Sequence, residues 1–178
     1  MATHKLIIAG FGGQGVMLMG EMIAYAGMLE GKEVTWMPSY GPEMRGGTAN
    51  CTVIVSDKRI SSPIISEATC VVVMNEPSLR KFEGHVKPGG LLFINRSLIK
   101  GKPFREDIEA LYVHANEIAV GLQNDKVSNM VILGAVIRKT GIVKMESIEK
   151  AMEKYFSGEK SNLLPINKKA LEAWKDES

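Results

Sequence analysis

The segment KLIIAGFGGQG, Lys5 to Gly15, most constrains what this chain can fold into. Lys5-Leu6-Ile7-Ile8-Ala9 is a short apolar run with β-branched residues, bounded by Gly10, which is the pattern of a buried strand. From Val16 to Glu30 the apolar residues recur three or four apart, at Val16, Met19, Ile23 and Ala26, with Met22 and Leu29 widening the stripe. Gly31 stands where a helix ends in a left-handed residue, and Val34-Thr35-Trp36-Met37 reads as a second strand. Strand, glycine loop, helix and strand in that order open a parallel α/β sheet, with the second strand expected as a parallel neighbour of the first.

The rest of the chain extends this plan. Thr48 to Val55 reads as a strand, and Ser56-Asp57-Lys58 as a turn into Arg59-Ile60-Ser61, which predicts a β-hairpin there. Cys70-Val71-Val72-Val73-Met74 is a buried strand, followed by a helix around Pro77 to Glu83. Pro88-Gly89-Gly90 reads as a turn, Leu91-Leu92-Phe93-Ile94 as another strand, and Leu111-Tyr112-Val113-His114-Ala115 as the last. Beyond it the pattern is helical, over Ile118–Leu122, over Asn129–Lys139 with Ser128 as N-cap, at Ile148, Ala151, Met152 and Tyr155, and at Ala170, Leu171 and Trp174. The predicted fold is α/β: a Rossmann-like, mostly parallel sheet flanked by helices, with an inserted β-hairpin and a helical C-terminal part.

A chain of 178 residues with 45% hydrophobic and 24% charged residues suits one core, so a single domain over residues 1–178 is expected. The net charge of +2 gives no footprint for nucleic acid or a membrane surface. The apolar runs are too short to span a bilayer, and residues 1–9 read as a first strand rather than a secretory signal. Two cysteines, Cys51 and Cys70, cannot supply the four thiolates of an iron–sulfur cluster. They read as buried reduced thiols rather than a disulfide, which fits a cytoplasmic protein. His4, His85 and His114 are isolated from one another, so no metal set forms, and no nucleophile–base set can be assembled from the spacing. No catalytic residue is assigned.

Two loops remain as candidates. Gly10, Gly12 and Gly15 fit G-x-G-x-x-G, and with Gly13 and Gln14 they lead into a helix whose N-terminal amides attract anions. A dinucleotide site would need an acid at the end of the second strand, but Met37, Pro38 and Ser39 stand there, and Glu33 precedes the strand. Three roles fit the loop: a tight strand-to-helix turn, a cradle for a phosphate-bearing ligand, or a seat for a partner's loop. The second candidate is Tyr40-Gly41-Pro42-Glu43-Met44-Arg45-Gly46-Gly47, which has no periodicity. Tyr40, Glu43, Arg45, Gly46 and Gly47 would either form a solvated loop with an ion pair or, with the glycine loop, a ligand or subunit contact. Asn75-Glu76-Pro77 suits helix initiation as well as a site.

Ile8 to Gly15 and Tyr40 to Gly47 together resemble the gamma subunit, or fused gamma domain, of the 2-oxoacid:ferredoxin oxidoreductases. The resemblance continues through Ser61–Ile64, Cys70–Pro77, Pro88–Gly90, Asn129-Met130 and the helix of Asn167, Ala170 and Leu171. In length it is most similar to the separate gamma chain of the 2-oxoglutarate type. The resemblance implies a supporting subunit of a cytoplasmic complex that decarboxylates a 2-oxoacid to an acyl-coenzyme A and reduces ferredoxin. Thiamine diphosphate, iron–sulfur clusters and coenzyme A would be used through alpha, beta and delta companion subunits, with self-association possible for the isolated chain. The other reading is an independent nucleotide- or coenzyme-binding α/β enzyme.

Overall fold

A computed structural model describes residues 2–39 and 48–176, and the structural statements below concern these residues. Its elements are β1 (Thr3–Phe11), α1 (Val16–Leu29), β2 (Glu33–Ser39), β3 (Thr48–Ser56), β4 (Ala68–Val73), α2 (Glu76–Phe82), β5 (Val86–Asn95), β6 (Glu109–Val113), α3 (Ala115–Gly121), α4 (Ser128–Thr140), α5 (Met145–Tyr155) and α6 (Leu164–Ala173). The six strands form one sheet in the order β2-β3-β1-β4-β5-β6. The pairs β1–β4, β4–β5 and β5–β6 are parallel, whereas β3 runs antiparallel to both β1 and β2.

Burial on both faces explains the continuous apolar run of β1. Leu6 and Ile8 face one core with α1 and α4, while Ile7 and Ala9 face a second core with Leu79 and Phe82 of α2. A central strand with cover on both sides keeps no polar face, so alternation disappears. Each such side chain contributes roughly 1.5–3 kcal/mol when fully buried. α4 is apolar nearly all round because its residues Asn129 to Ile137 are all buried. Gly134 lets it meet α6, since a Cβ there would overlap the Leu171 carbonyl. No helix among the described residues is long and apolar enough to cross a membrane.

The α/β class holds, with four local corrections. The hairpin is β2–β3, with Ser39 opposite Asn50, and residues 59–61 form no strand. The reason is non-local: β3 finds partners on both sides, β1 and β2, whereas Arg59-Ile60-Ser61 is too short before Pro63 to compete. For the same reason β2 is not the neighbour of β1. β3 lies between them, so β1 and β2 still run in one direction and end on one edge, where Phe11 pairs with Thr48. Pro88-Gly89-Gly90 is not a turn between elements but an irregular start of β5: Ala68 pairs with Val86 and Cys70 with Leu91, so the intervening β5 residues bulge. Ser128 is the first helical residue of α4 rather than its N-cap, because a 3-10 turn over Asp125–Val127 precedes it, with Asn124 capping that turn through Lys126 N at 3.0 Å.

Candidate functional site

β1 delivers the glycine loop to the carboxyl edge of the parallel strands, next to the end of β4. Gly10 is the next-to-last residue of β1, and a Cβ there would stand 2.6 Å from Gln14 Oε1 and 2.8 Å from Met74 Cβ. Gly13 and Gly15 have φ of 89° and 74°, left-handed values that suit glycine. Gly13 has open space around its missing side chain, but a Cβ on Gly15 would lie 2.8 Å from Asn129 Cγ. Gly12 and Gly13 are exposed, as is Phe11.

Gln14 holds the loop. Its Oε1 accepts the Phe11 amide at 2.6 Å, its Nε2 donates to the Met74 carbonyl at 3.3 Å, and its own amide donates to the Phe11 carbonyl at 3.2 Å. Asn75 Nδ2 approaches Gln14 Oε1 at 3.5 Å, while Asn75 Oδ1 accepts the Ser78 amide at 2.9 Å and so caps α2. Asn75 therefore serves helix initiation and also borders the loop. Two of the loop's amides are thus already bonded within it, so fewer face outward than a bare glycine cradle would offer.

The start of α1 is uncapped by side chains: Gly15 is its N-cap, and no acid stands in its first turn. Such a terminus carries about half a positive charge. α4 and α6 likewise have no side-chain cap, whereas the starts of α3 and α5 are satisfied by side chains from elsewhere in the fold. Ser97 Oγ accepts the Asn116 and Glu117 amides of α3 at 3.1 and 3.3 Å, and Glu30 Oε1 accepts the Lys144 amide, just ahead of α5, at 2.6 Å. Burial pushes the Glu30 carboxyl up, but the bonds from Lys144, Ser147 and Lys32 outweigh it and hold it below its usual value. Asn129 is the residue that spacing alone did not single out as part of this edge. It is 6% exposed and presses on Gly15 from α4, more than a hundred positions along the chain.

Tyr40, Glu43, Arg45, Gly46 and Gly47 lie outside the described residues. The strands that flank them end and begin at the same edge as the glycine loop, through the Phe11–Thr48 and Ser39–Asn50 pairs.

The titratable groups are dispersed. Cys51 and Cys70 are buried and unpaired, on β3 and β4, and burial pushes each thiol up to about 12, which leaves them protonated. Cys51 Sγ donates to the Val16 carbonyl at 3.4 Å, against α1. Burial, with Lys32 and Lys87 nearby, lowers the His4 pKa, and His114 pairs with Glu117 at 3.2 Å on the surface. Among the described residues no three His, Cys, Asp or Glu side chains gather where a metal could sit. Two separated, protonated thiols do not fit an iron–sulfur cluster.

Fold and loop together define a Rossmann-like α/β domain that presents a helix N-terminus at the carboxyl edge of its sheet. The model of the pyruvate ferredoxin/flavodoxin oxidoreductase family matches residues 5–175, and the chain belongs to that family. It is 40% identical over 174 residues to the ketoisovalerate oxidoreductase subunit VorA of Methanothermobacter marburgensis, covering 97% of this chain but 36% of VorA. It thus spans about a third of the length of that relative. It is 33% identical to the 2-oxoglutarate synthase subunit KorC of Methanocaldococcus jannaschii, covering 92% of this chain and 90% of KorC. In structure it is similar to the gamma subunit of a keto/oxoacid ferredoxin oxidoreductase from Geobacter sulfurreducens, with a TM-score of 0.82, 27% identity, and coverage of 96% and 95% of the two chains.

Proposed function

We propose that the chain acts as the gamma subunit of a 2-oxoacid:ferredoxin oxidoreductase, of the 2-oxoglutarate type. The observation that carries this reading is the alignment with KorC over nearly the full length of both chains. In this reading the complex oxidises and decarboxylates a 2-oxoacid, passes the acyl group to coenzyme A, and sends the electrons to ferredoxin. The gamma chain carries none of the redox groups itself, since Cys51 and Cys70 are the chain's whole cysteine supply. Thiamine diphosphate and the clusters reside in alpha, beta and delta companions, and the assembly works in the cytoplasm. The 40% identity to VorA favours a second reading, in which the substrate is the branched ketoisovalerate.

The contribution of this chain is the carboxyl edge. Gly10, Gly12, Gly13, Gln14 and Gly15 set the start of α1, and Tyr40, Glu43, Arg45, Gly46 and Gly47 join them from the β2–β3 connection. The helix terminus and the Arg45 guanidinium together attract one anionic group, a phosphate of coenzyme A or a carboxylate of a companion. The test is reconstitution with companion subunits and a panel of 2-oxoacids. The complex turns over 2-oxoglutarate fastest, and omission of this chain abolishes assembly or coenzyme A use. Preference for ketoisovalerate selects the second reading, and full activity without the chain overturns both. In the assembled enzyme Arg45→Ala weakens the apparent coenzyme A affinity or the assembly by on the order of 1–3 kcal/mol. Unchanged assembly and coenzyme A kinetics would reduce the edge to scaffold.

A further inference from the structure

The connection from β3 to β4, residues 57–67, passes the start of β1 with no helix or strand of its own. It contains Ser61-Ser62-Pro63-Ile64, a run to which the carboxyl edge gives no role. Thr3, Lys5 and Ile7 share one face of β1, because side chains alternate along a strand. Ile7 packs there against Leu79 of α2. Towards Thr3 and Lys5 the neighbour is instead the connection. It and the ends of β1 and β3 line an open cavity of about 390 Å³, a size that suits a small ligand. The wall is built before any ligand arrives. Thr69 Oγ1 accepts the Lys5 amide at 2.9 Å and donates to the Lys5 carbonyl at 3.1 Å. Ser56 Oγ accepts the Lys58 amide at 3.0 Å and shares a bond of 2.7 Å with Thr3 Oγ1, and Ser62 Oγ accepts the Ile64 amide at 3.2 Å.

The charge around this cavity is of one sign. Lys5 lines it from β1, Lys58 and Arg59 line it from the connection, and no carboxylate does. None of these three cations has an ion-pair partner among the described residues. Asp57 is the single acid between Ser56 and Ser66, and its Oδ2 accepts the Ala2 amide at 2.9 Å. Hydrogen-bond donors are also in surplus. Ser61 and Ser62 bring hydroxyls to the lining, and the amides of Arg59, Ile60, Ser61 and Ser62 donate to no protein group among the described residues. Ile54, only 1% exposed, gives the cavity an apolar floor. Three like charges around one cavity repel each other, and an anion bound among them turns that repulsion into attraction. The planar fork of Arg59 matches the oxygens of a phosphate.

We propose that this cavity binds a small phosphate dianion, either the free ion or the head of a small organic ester. Lys5 meets the anion from the sheet, and Lys58 and Arg59 meet it from the connection. The floor at Ile54 receives the carbon part of an ester. The site is separate from the glycine loop, because Gly10 lies five residues beyond Lys5 on β1, roughly 17 Å along the strand. It does not depend on the gamma-subunit reading.

The test titrates the full chain at low salt with inorganic phosphate and, separately, with glycerol phosphate, while amide NMR spectra are recorded. Acetate and chloride at matched ionic strength are the controls. Phosphate shifts the signals of Thr3, Lys5 and residues 56–64 in a saturable way, and the controls do not. Lys58→Gln with Arg59→Gln weakens binding about tenfold or more. The fold is unchanged in that variant, because both side chains are exposed and lie outside every helix and strand. Lys5→Gln, on the opposite wall, weakens binding as well. Tighter binding of glycerol phosphate assigns the site to an ester, and tighter binding of inorganic phosphate assigns it to the free ion. Equal shifts with chloride or acetate, shifts centred on Gly10 to Gly15, or unchanged affinity in both variants would overturn the site.

Discussion

Two loops leave the same edge of the sheet, one after β1 and one after β5, and they are held by opposite means. The glycine loop is short, uncharged and tight, with Asn129, Met74 and Gln14 filling the space that side chains at Gly15 and Gly10 would need. The β5–β6 loop is long and is fixed by arginines and carboxylates bonded to its carbonyls and amides. The first is secured by what glycine omits, the second by what charged side chains add. The contrast teaches where each is fragile: added atoms damage the first, and removed atoms damage the second.

The largest expected effect tests the first half of that contrast. Gly15→Val puts a β-branched side chain at φ 74° and against Asn129, so about 3 kcal/mol of stability is lost, read by urea denaturation. Gly13→Ala, at φ 89° with open space, costs about 1 kcal/mol. Equal losses at the two positions would mean that backbone strain alone, and not the Asn129 contact, secures the loop.

Removal at the second loop comes next. Arg80→Ala leaves Glu83, whose side chain is 8% exposed, without its ion pair and frees the Lys102 carbonyl, for a loss of about 2 kcal/mol. Hydrogen exchange at Gly101 and Phe104 rises while the glycine loop is unaffected. Faster exchange in both loops would show that they are coupled, and the comparison would fail. Gln14→Ala is smaller, about 1 kcal/mol, because the Phe11 amide it frees lies in an exposed turn where water can replace it.

The smallest effect is pH dependence. The bond to Arg105 holds the Asp107 carboxyl below its usual value. A carboxyl lowered in the folded state contributes above its unfolded pKa, near 4, and loses that contribution as pH falls through the lower folded value. The Arg105–Asp107 contact therefore weakens as pH falls below about 4. Gly10 to Gly15 holds no ionisable side chain and does not respond directly. An NMR titration of the two loops checks this, and loosening at pH 6 would point to a different group.

Much of the first loop was legible because its signals are local. An apolar run, the four glycines of the loop and a helical stripe lie within residues 5–30, and the structure forms β1 and α1 there. The same holds for β4, α2 and the buried α4. Gln14 stood within the motif, but its bond to the Met74 carbonyl joins positions 60 residues apart, and no spacing rule reaches that far. The β5–β6 loop was the least legible element. Its arginines and lysines look like ordinary solvated charges until α2 packs beneath them.

The sequence by itself determined the strand–glycine–helix opening, the absence of a cluster-sized cysteine set, and the family, because each rests on residues close together or on their number. Tertiary structure alone decided the order of the strands. β3 could pair with β2, β1 or the segment after Ser56, and the choice was made by burial on two faces rather than by turn residues. It also decided that Asn129 closes on Gly15 and that Phe104 stands out from Arg80. The physical reason is common to all three. Local backbone preference selects an element, whereas which surfaces meet depends on apolar area and hydrogen bonds that exist only once distant elements are packed.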